Sequence, residues 1–440
     1  MKNVLVIGCA KSGFWVSMLL QTKGFAVTIT DKQVISNKNK LEEIGIRVFD
    51  NGHPDSLINE NWDFIVKNPG IAYHTPFVSE FINRSIPIYT EIEVASWYAK
   101  GFRYGAITGT NGKTTTTTIL YEMLKRKGNA FASGNIGEAL SKTVYDHEYE
   151  SADIALEISA FQLLGMPHFR PLVSTITNLT PDHLDYFENI EDYYRAKTLI
   201  YKNQIDDDWF ILNLDDQRVI DHCVNIKCKI ITMSINKEAD LMIKDNIVWL
   251  FDKQLFDVST LKIIGRHNIQ NAMVAATMAY KMGVDVSDIA SSINDFEAIE
   301  HRIEYVDTIC GVKYYNDSKG TNTDSTIIAL RSFNQPVILI AGGYDKHTGF
   351  SDLLDHVEKI KTLIVYGATK YELAKLKTDS IICEDLRQAT TFAHNVAQAN
   401  DIVLFSPACA SYDQFHDYQQ RGDVFKGLIK SIKEGGIDNV

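Results

Sequence analysis

The chain has 440 residues, 45% of them hydrophobic, 23% charged, and a net charge of −12. That length holds about three domains of ordinary size with real cores. The acidic balance argues against a general nucleic-acid binder, which needs a basic face, and no apolar run in the sequence is long enough to span a membrane. The cysteines (Cys9, Cys223, Cys228, Cys310, Cys383 and Cys409) are scattered and form no C-x-x-C pair. They indicate neither a zinc site nor a disulfide framework, so a reduced cytoplasmic protein is expected. The apolar run after Met1-Lys2 is too short for a secretion signal.

In chain order, Val4 to Ile7 reads as a buried strand, Gly8 to Gly13 (G-C-A-K-S-G) as a turn and Phe14 to Leu20 as a packed helix. Ala26 to Thr30 reads as the next strand, ending at Asp31. This is the opening of a dinucleotide-type βαβ unit. Ala10 stands where the second Gly of G-x-G-x-x-G would let a backbone approach a pyrophosphate, which weakens an NAD-linked oxidoreductase reading. A nucleotide diphosphate at the helix start, with Asp31 near a ribose or base, remains open, as does an ordinary α/β turn. Asn68-Pro69-Gly70 follows a further strand, Phe64 to Val66, and is placed on the same edge. Thr90-Glu91-Ile92-Glu93 reads as a helix start with acidic residues in its first turn. The first domain boundary is placed there, giving domains of 1–94, 95–297 and 298–440.

Tyr104 to Ile107 is a short apolar run followed by Thr108-Gly109-Thr110-Asn111-Gly112-Lys113-Thr114-Thr115 and a segment able to continue as a helix. Strand, glycine turn and helix start together make an anion cradle. Backbone N–H groups point at phosphate oxygens and the helix dipole favours negative charge. Lys113 reaches the outer phosphates and the Thr114 hydroxyl suits a Mg²⁺. The usual spacing asks for glycine at position 107, where Ile107 stands, so Gly109 makes a tighter loop.

Further strands are expected at 103–108, 152–158, 172–177 and 208–212, a β-rich patch at Leu241 to Leu261 and a helix from Arg266 to Met282. Glu157 closes an apolar strand beside the glycine loop, a position suited to a Mg²⁺ ligand or to a capping carboxylate. Asn178-Leu179-Thr180-Pro181-Asp182-His183-Leu184-Asp185 is a fixed polar loop whose His183 could ligate a metal, orient a phosphate or be structural. Tyr193-Tyr194-Arg195-Ala196-Lys197 alone reads as a solvated basic helix face. From residue 298, strands at 303–309, 312–316, 336–341, 361–366 and 401–405 alternate with helices near 322–332, 350–358, 368–376, 384–395 and 413–433. Three polar strand-end loops follow: Asn316 to Asn322, Ala341 to Lys346, and Ser406 to Ser411 continuing to Tyr418 and Arg421. Together they predict one shared edge facing the nucleotide-binding domain. The fold class expected is α/β in three domains: an N-terminal Rossmann-like domain, a central P-loop ATPase-like domain with a mostly parallel sheet, and a C-terminal Rossmann-like domain.

The segments T-G-T-N-G-K-T-T, S-G-N-I-G (Ser133 to Gly137), L-T-P-D-H-L-D, Y-Y-R-A-K, G-R-H-N-I-Q-N (Gly265 to Asn271), E-H-R-I-E (Glu300 to Glu304), N-D-S-K-G-T-N and S-P-A-C-A-S-Y-D-Q-F are specific in combination. Taken together, over essentially the whole chain, they resemble the Mur ligase family. The resemblance implies an ATP-dependent amide-bond ligase of peptidoglycan precursor synthesis, a monomer that adds D-glutamate to UDP-N-acetylmuramoyl-L-alanine. It implies that Gly109, Thr110, Asn111, Gly112, Lys113, Thr114, Thr115, Asn271, Arg302 and Asp317 bind ATP. Thr114 and Glu157 would hold one Mg²⁺, and His183 and Lys197 a second, with Lys197 carbamylated. A carbamate turns a cation into the hard oxygen ligand that Mg²⁺ prefers. Lys11, Ser12, Asp31, Asn68, Gly70 and Asn135 would contact the UDP-sugar, and Lys319, Thr321, Lys346, Ser411 and Tyr418 would orient D-glutamate. Lys113, His183, Lys197 and Lys319 would carry the catalysis, with domain closure excluding water. A sister ligase for another amino acid, a folylpolyglutamate synthase and a non-catalytic nucleotide sensor are the competing readings.

Overall fold

The computed structural model describes residues 2–182, 186–297, 299–345 and 349–435. Its strands form three sheets. The first contains β1 (Asn3–Ile7), β2 (Ala26–Thr30), β3 (Arg47–Phe49), β4 (Phe64–Lys67) and β5 (Ile88–Tyr89), all parallel, in the order β3-β2-β1-β4-β5. Val4 and Val6 point into one apolar cluster, Leu5 and Ile7 into another. A strand covered on both faces needs an unbroken apolar run, which is why V-L-V-I is legible as a parallel central strand.

The second sheet has nine strands: β6 (Phe102–Thr108), β7 (Ala130–Gly134), β8 (Ala152–Glu157), β9 (Val173–Ile176), β10 (Trp209–Asn213), β11 (Lys229–Met233), β12 (Leu241–Lys244), β13 (Ile247–Leu250) and β14 (Lys253–Asp257). Their order is β14-β13-β12-β11-β10-β9-β6-β8-β7. Its first seven strands in sequence pair in parallel, and the β-rich patch becomes the antiparallel meander β12 to β14. The third sheet contains β15 (Glu304–Ile309), β16 (Val312–Asn316), β17 (Val337–Gly342), β18 (Ile360–Tyr366), β19 (Ile381–Ile382) and β20 (Ile402–Phe405), in the order β15-β16-β20-β17-β18-β19. It is parallel except where β15 meets β16. Val337, Leu339 and Ala341 pack on one face and Ile338 and Ile340 on the other.

The chain divides into two compact units. One comprises Met1–Leu179, Glu191–Val258 and Asn271–Ile293, and so holds both the first and second sheets. The other comprises Thr180–Ile190, Ser259–Gln270 and Asn294–Val440 and holds the third. Within the first unit, residues 90–93 form an interlock rather than a plain linker. Thr90 Oγ1 donates to Gln162 O at 2.9 Å, and the buried Glu93 carboxylate accepts from Phe169 N at 2.9 Å and Trp97 Nε1 at 3.1 Å. Glu91 accepts from Ser141 N, and burial pushes its carboxyl up to about 7.

Some boundaries differ from expectation. The first helix is Lys11–Thr22, so Lys11 and Ser12 sit in its first turn rather than in the preceding loop. Ser351–Lys359 is a 3₁₀ helix, not an α-helix. The last helix is Tyr418–Lys433, because the Asp417 side chain caps it by accepting from Gln420 N. Strands β3, β5, β7, β11 and β19 carried no clear periodic signal. Each is only two to five residues long, too short for an alternation to stand out.

Candidate active site

The 109–115 loop joins β6 to the helix Lys113–Lys127. Gly112 is the residue before that helix and has φ +83, a left-handed conformation that glycine adopts without strain. A Cβ there would meet Asn271 Oδ1 at 2.6 Å, and one on Gly109 would meet Thr177 Oγ1 at 1.9 Å. Thr110 N donates to Asn178 O at 3.0 Å and Asn111 N to Asn178 Oδ1 at 2.8 Å, while Asn178 Nδ2 and Thr177 Oγ1 both donate to Asn111 O. Asn271 accepts from Thr116 Oγ1 at 3.2 Å, tying the helix Arg266–Lys281 to the loop. Thr115 is buried in the first helical turn.

Two lysines converge on one carbonyl. Lys113 Nζ donates to Gly109 O at 2.9 Å and Thr110 O at 2.8 Å, and Lys197 Nζ donates to the same Gly109 O at 2.8 Å. Lys197 is 1% exposed, with its Nζ 4.4 Å from the centre of the Tyr193 ring. It is therefore not on a solvated basic face. Its helix, Ile190–Thr198, turns Tyr193, Tyr194, Ala196 and Lys197 inward and leaves Arg195 outside.

Glu157, at the end of β8, is 1% exposed. Its Oε1 accepts from Asn135 Nδ2 at 2.8 Å, while Oε2 is buried without a hydrogen-bond partner among the described residues. A buried carboxylate oxygen left unpaired is costly, and a hard cation satisfies it. Glu157 therefore fits a Mg²⁺ ligand. Lys197 as an amine offers a donor, not an oxygen, and fits such a role only as a carbamate. His183 lies outside the described residues. Asn135 donates to Glu157 through both its side chain and its backbone N–H, the latter to Glu157 O at 2.9 Å, which couples this expected sugar contact to the carboxylate.

At the first sheet, Asp31 Oδ2 accepts from Cys9 N at 2.6 Å and Oδ1 from Gln33 N at 2.8 Å. Lys11 Nζ donates to Gly137 O at 2.6 Å. Asn68 Oδ1 accepts from Gly70 N at 3.0 Å, closing a small turn. Ile7 is level with Thr30 and with Lys67 in the paired strands, so these loops emerge at one edge.

In the second unit, β16, β20 and β17 are neighbours and parallel, so the loops after Asn316, Phe405 and Gly342 leave one edge, as the three-loop pattern predicts. Arg421, fully buried, ties the first two together. Its guanidinium donates to Ser318 O at 2.7 Å, Ser318 Oγ at 3.1 Å, and Cys409 O and Ala410 O at 3.0 Å each. Tyr344 and Ala410 exchange backbone hydrogen bonds at 2.9 Å. Asp317 is buried, accepts from Ser406 Oγ at 2.7 Å and Ile303 N at 3.2 Å, and burial pushes it up to about 6 against the pull of Arg302. Arg302 Nε is buried without a partner among the described residues. Burial, then the Arg302 charge, pushes His267 down to about 3. Lys319 Nζ lies 5.4 Å from the centre of the Tyr418 ring, and Thr321 N donates to Lys319 O at 2.9 Å. Ser411 is buried and its carbonyl accepts from Phe415 N at 2.9 Å. Lys346 lies outside the described residues.

Thr177, Asn178 and Tyr193 brace the glycine loop, yet none stands out as a site residue in the sequence. Asn178 directly precedes the L-T-P-D-H motif, and that position is its one signal in the sequence.

The chain is similar to known proteins over nearly its whole length. The profile of the Mur ligase middle domain matches residues 107–279, and that of the Mur ligase glutamate ligase domain matches residues 301–409. The chain belongs to the Mur ligase family. It is 39% identical over 433 residues, 96% of each chain, to the UDP-N-acetylmuramoylalanine–D-glutamate ligase of Staphylococcus carnosus (strain TM300). It is likewise 39% identical over 434 residues to that of Staphylococcus aureus (strain MRSA252). Among solved structures, MurF from Acinetobacter baumannii covers 98% of this chain at a TM-score of 0.62 and 14% identity, with 93% of its own length matched. UDP-N-acetylmuramate-alanine ligase MurC from Thermotoga maritima covers 98%, at 0.60 and 18% identity, with 100% of its own length matched. These two likenesses establish the fold, a three-domain α/β architecture. Among the described residues no helix is long and apolar enough to cross a membrane.

Proposed function

We propose that the protein joins D-glutamate to UDP-N-acetylmuramoyl-L-alanine at the expense of ATP, the MurD reaction of peptidoglycan precursor synthesis. The observation that carries this is 39% identity over 96% of the chain to ligases of that name. The domains are 1–94 for the UDP-sugar, 95–297 for ATP and 298–440 for the amino acid. This division is supported by sheets spanning residues 3–89, 102–257 and 304–405. The substrates are small molecules, and the protein acts as a monomer in the cytoplasm, where its six free thiols stay reduced.

The chemistry is governed by charge. The substrate carboxylate attacks the γ-phosphorus, forming an acyl phosphate and releasing ADP. Like unit charges about 4 Å apart repel by roughly 4 kcal/mol at an effective dielectric near 20. The amides of Gly109 to Thr115 and the Lys113 ammonium hold the phosphates and offset that repulsion, and Lys319 adds positive charge at the acceptor. Asn271, Arg302 and Asp317 complete the ATP contacts. Thr114, Glu157, His183 and a carbamylated Lys197 would hold two Mg²⁺, which supply neutralisation of phosphate charge when bound. The amine of D-glutamate, oriented by Thr321, Lys346, Ser411 and Tyr418, then attacks the acyl carbon. The tetrahedral adduct expels phosphate and leaves the amide. Lys11, Ser12, Asp31, Asn68, Gly70 and Asn135 keep the UDP-sugar in register.

Phosphate release with UDP-N-acetylmuramoyl-L-alanine and a panel of amino acids tests the proposal. Turnover is expected with D-glutamate. Turnover with L-lysine and none with D-glutamate would overturn the acceptor assignment. Lys113→Ala is expected to abolish amide formation, and amide-forming turnover retained by that variant would refute the ATP site.

A further inference from the structure

Lys67 is the last residue of β4 and is 0% exposed. Its Nζ donates to Asn68 O at 3.1 Å and Ile71 O at 2.5 Å and lies 4.4 Å from the centre of the Tyr73 ring. No carboxylate is among its bonded partners within the described residues. The two carbonyls bracket Asn68-Pro69-Gly70-Ile71, a turn further closed by Ile71 N to Asn68 O at 3.0 Å. Asn68 N in turn donates to Ile7 O at the end of β1. In the order β3-β2-β1-β4-β5 the strands, all parallel, are added to one side of β1 and then, from β4, to the other. Ligands of open parallel sheets bind outside the carboxyl ends of the strands at that switch point, and Lys67 stands at its floor. A buried ammonium without a carboxylate is unfavourable for folding. A neutral side chain of the same length would avoid that desolvation but take the Nζ donor from Ile71 O, while Asn68 O keeps Ile71 N, so the ammonium adds little net stability and its charge points to a further role.

We propose that Lys67 is a positioning residue for the UDP-sugar: it pins the 68–71 turn across the β1/β4 crevice and lends that crevice the buried positive charge that a diphosphate seeks. This inference rests on the UDP-sugar reading above. Burial also pushes Lys67 down to about 8, so its charge is lost just above neutral pH. Around it, Tyr73 is the titratable side chain in contact, β1 carries none, β5 contributes Tyr89, and the helix Pro76–Asn83 holds Glu80 exposed.

The test compares wild type with Lys67→Met. The variant sets relief of a buried charge against loss of the Nζ donor to Ile71 O, so it is expected to unfold within a few degrees of wild type. Its KM for UDP-N-acetylmuramoyl-L-alanine should rise by about tenfold or more, with kcat within about twofold and the KM for ATP unchanged. Wild-type affinity for the UDP-sugar, followed by calorimetry, should fall as pH rises through about 8. Affinity in the variant should follow no such step. Equal KM values in a folded variant would overturn the inference alone. If Lys67→Met does not fold, wild-type affinity decides: a fall through that pH supports the role, and a flat profile overturns it. A wild type that binds no UDP-sugar overturns the functional reading and this inference with it.

Discussion

Arg421 joins two strand-end loops of the second unit, and its removal has a calculable consequence. The side chain is fully buried and serves four acceptor contacts, on Ser318 O, Ser318 Oγ, Cys409 O and Ala410 O. Ala410 O keeps a second donor in Tyr344 N, and Ser318 Oγ is itself engaged with Tyr418 O at 2.7 Å. Replacement by Met therefore strands chiefly Ser318 O and Cys409 O. A buried acceptor left unpaired costs about 1–3 kcal/mol, so the pair predicts a loss of about 2–6 kcal/mol. For a unit of this size each kcal/mol moves the midpoint by about 2–4 °C, which puts the shift on the order of 5–20 °C. Arg421→Lys keeps the charge but reaches fewer acceptors from a single nitrogen, so an intermediate loss is expected. Thermal and urea unfolding would measure both variants. Because the 316–322 and 406–411 loops share this guanidinium, the KM for D-glutamate should rise with the same ranking. A Met variant destabilised by less than about 1 kcal/mol would refute the hydrogen-bond argument.

Asp317 should make stability depend on pH. Burial raises it from an ordinary 3.8 to about 6. The native state therefore keeps a proton that the unfolded chain gives up. This contribution to stability is full below about pH 4 and is lost as pH rises to about 6. Asp317→Asn should flatten the profile of unfolding free energy over that window, and an unchanged slope would contradict the burial argument. Lys197→Ala should reduce turnover by on the order of a hundredfold or more, with partial rescue by added acetate or chloride replacing the carbamate oxygen. Full activity without a rescue agent would eliminate the carbamate. Glu157→Gln should lose the stabilisation that Mg²⁺ gives the protein in a thermal scan, and an undiminished Mg²⁺ shift would remove Glu157 from the metal site.

Much of this protein is legible in one dimension because its physics there is local. An unbroken V-L-V-I or V-I-L-I-A run, short and ended by glycine, reads as a strand covered on both faces. A glycine turn carrying Lys113 and Thr114 between such a strand and a helix has a shape suited to cradling phosphate. The long apolar strands of the three sheets, the glycine loop and the three polar strand ends are legible at that level. What tertiary structure alone decided depends on residues far apart in the chain. By itself Y-Y-R-A-K is a basic surface stripe; folding turns Lys197 inward onto Gly109 O, 88 residues away. Asn178 is a loop residue until β9 lies beside β6 and brings it under Asn111. Glu157 acquires an unpaired buried oxygen, Arg421 becomes the tie between two loops, and Lys67 becomes a buried cation beneath the crevice. In each case the environment of a charge is set by which strands are neighbours, and strand order is a property of the folded sheet rather than of any stretch of sequence.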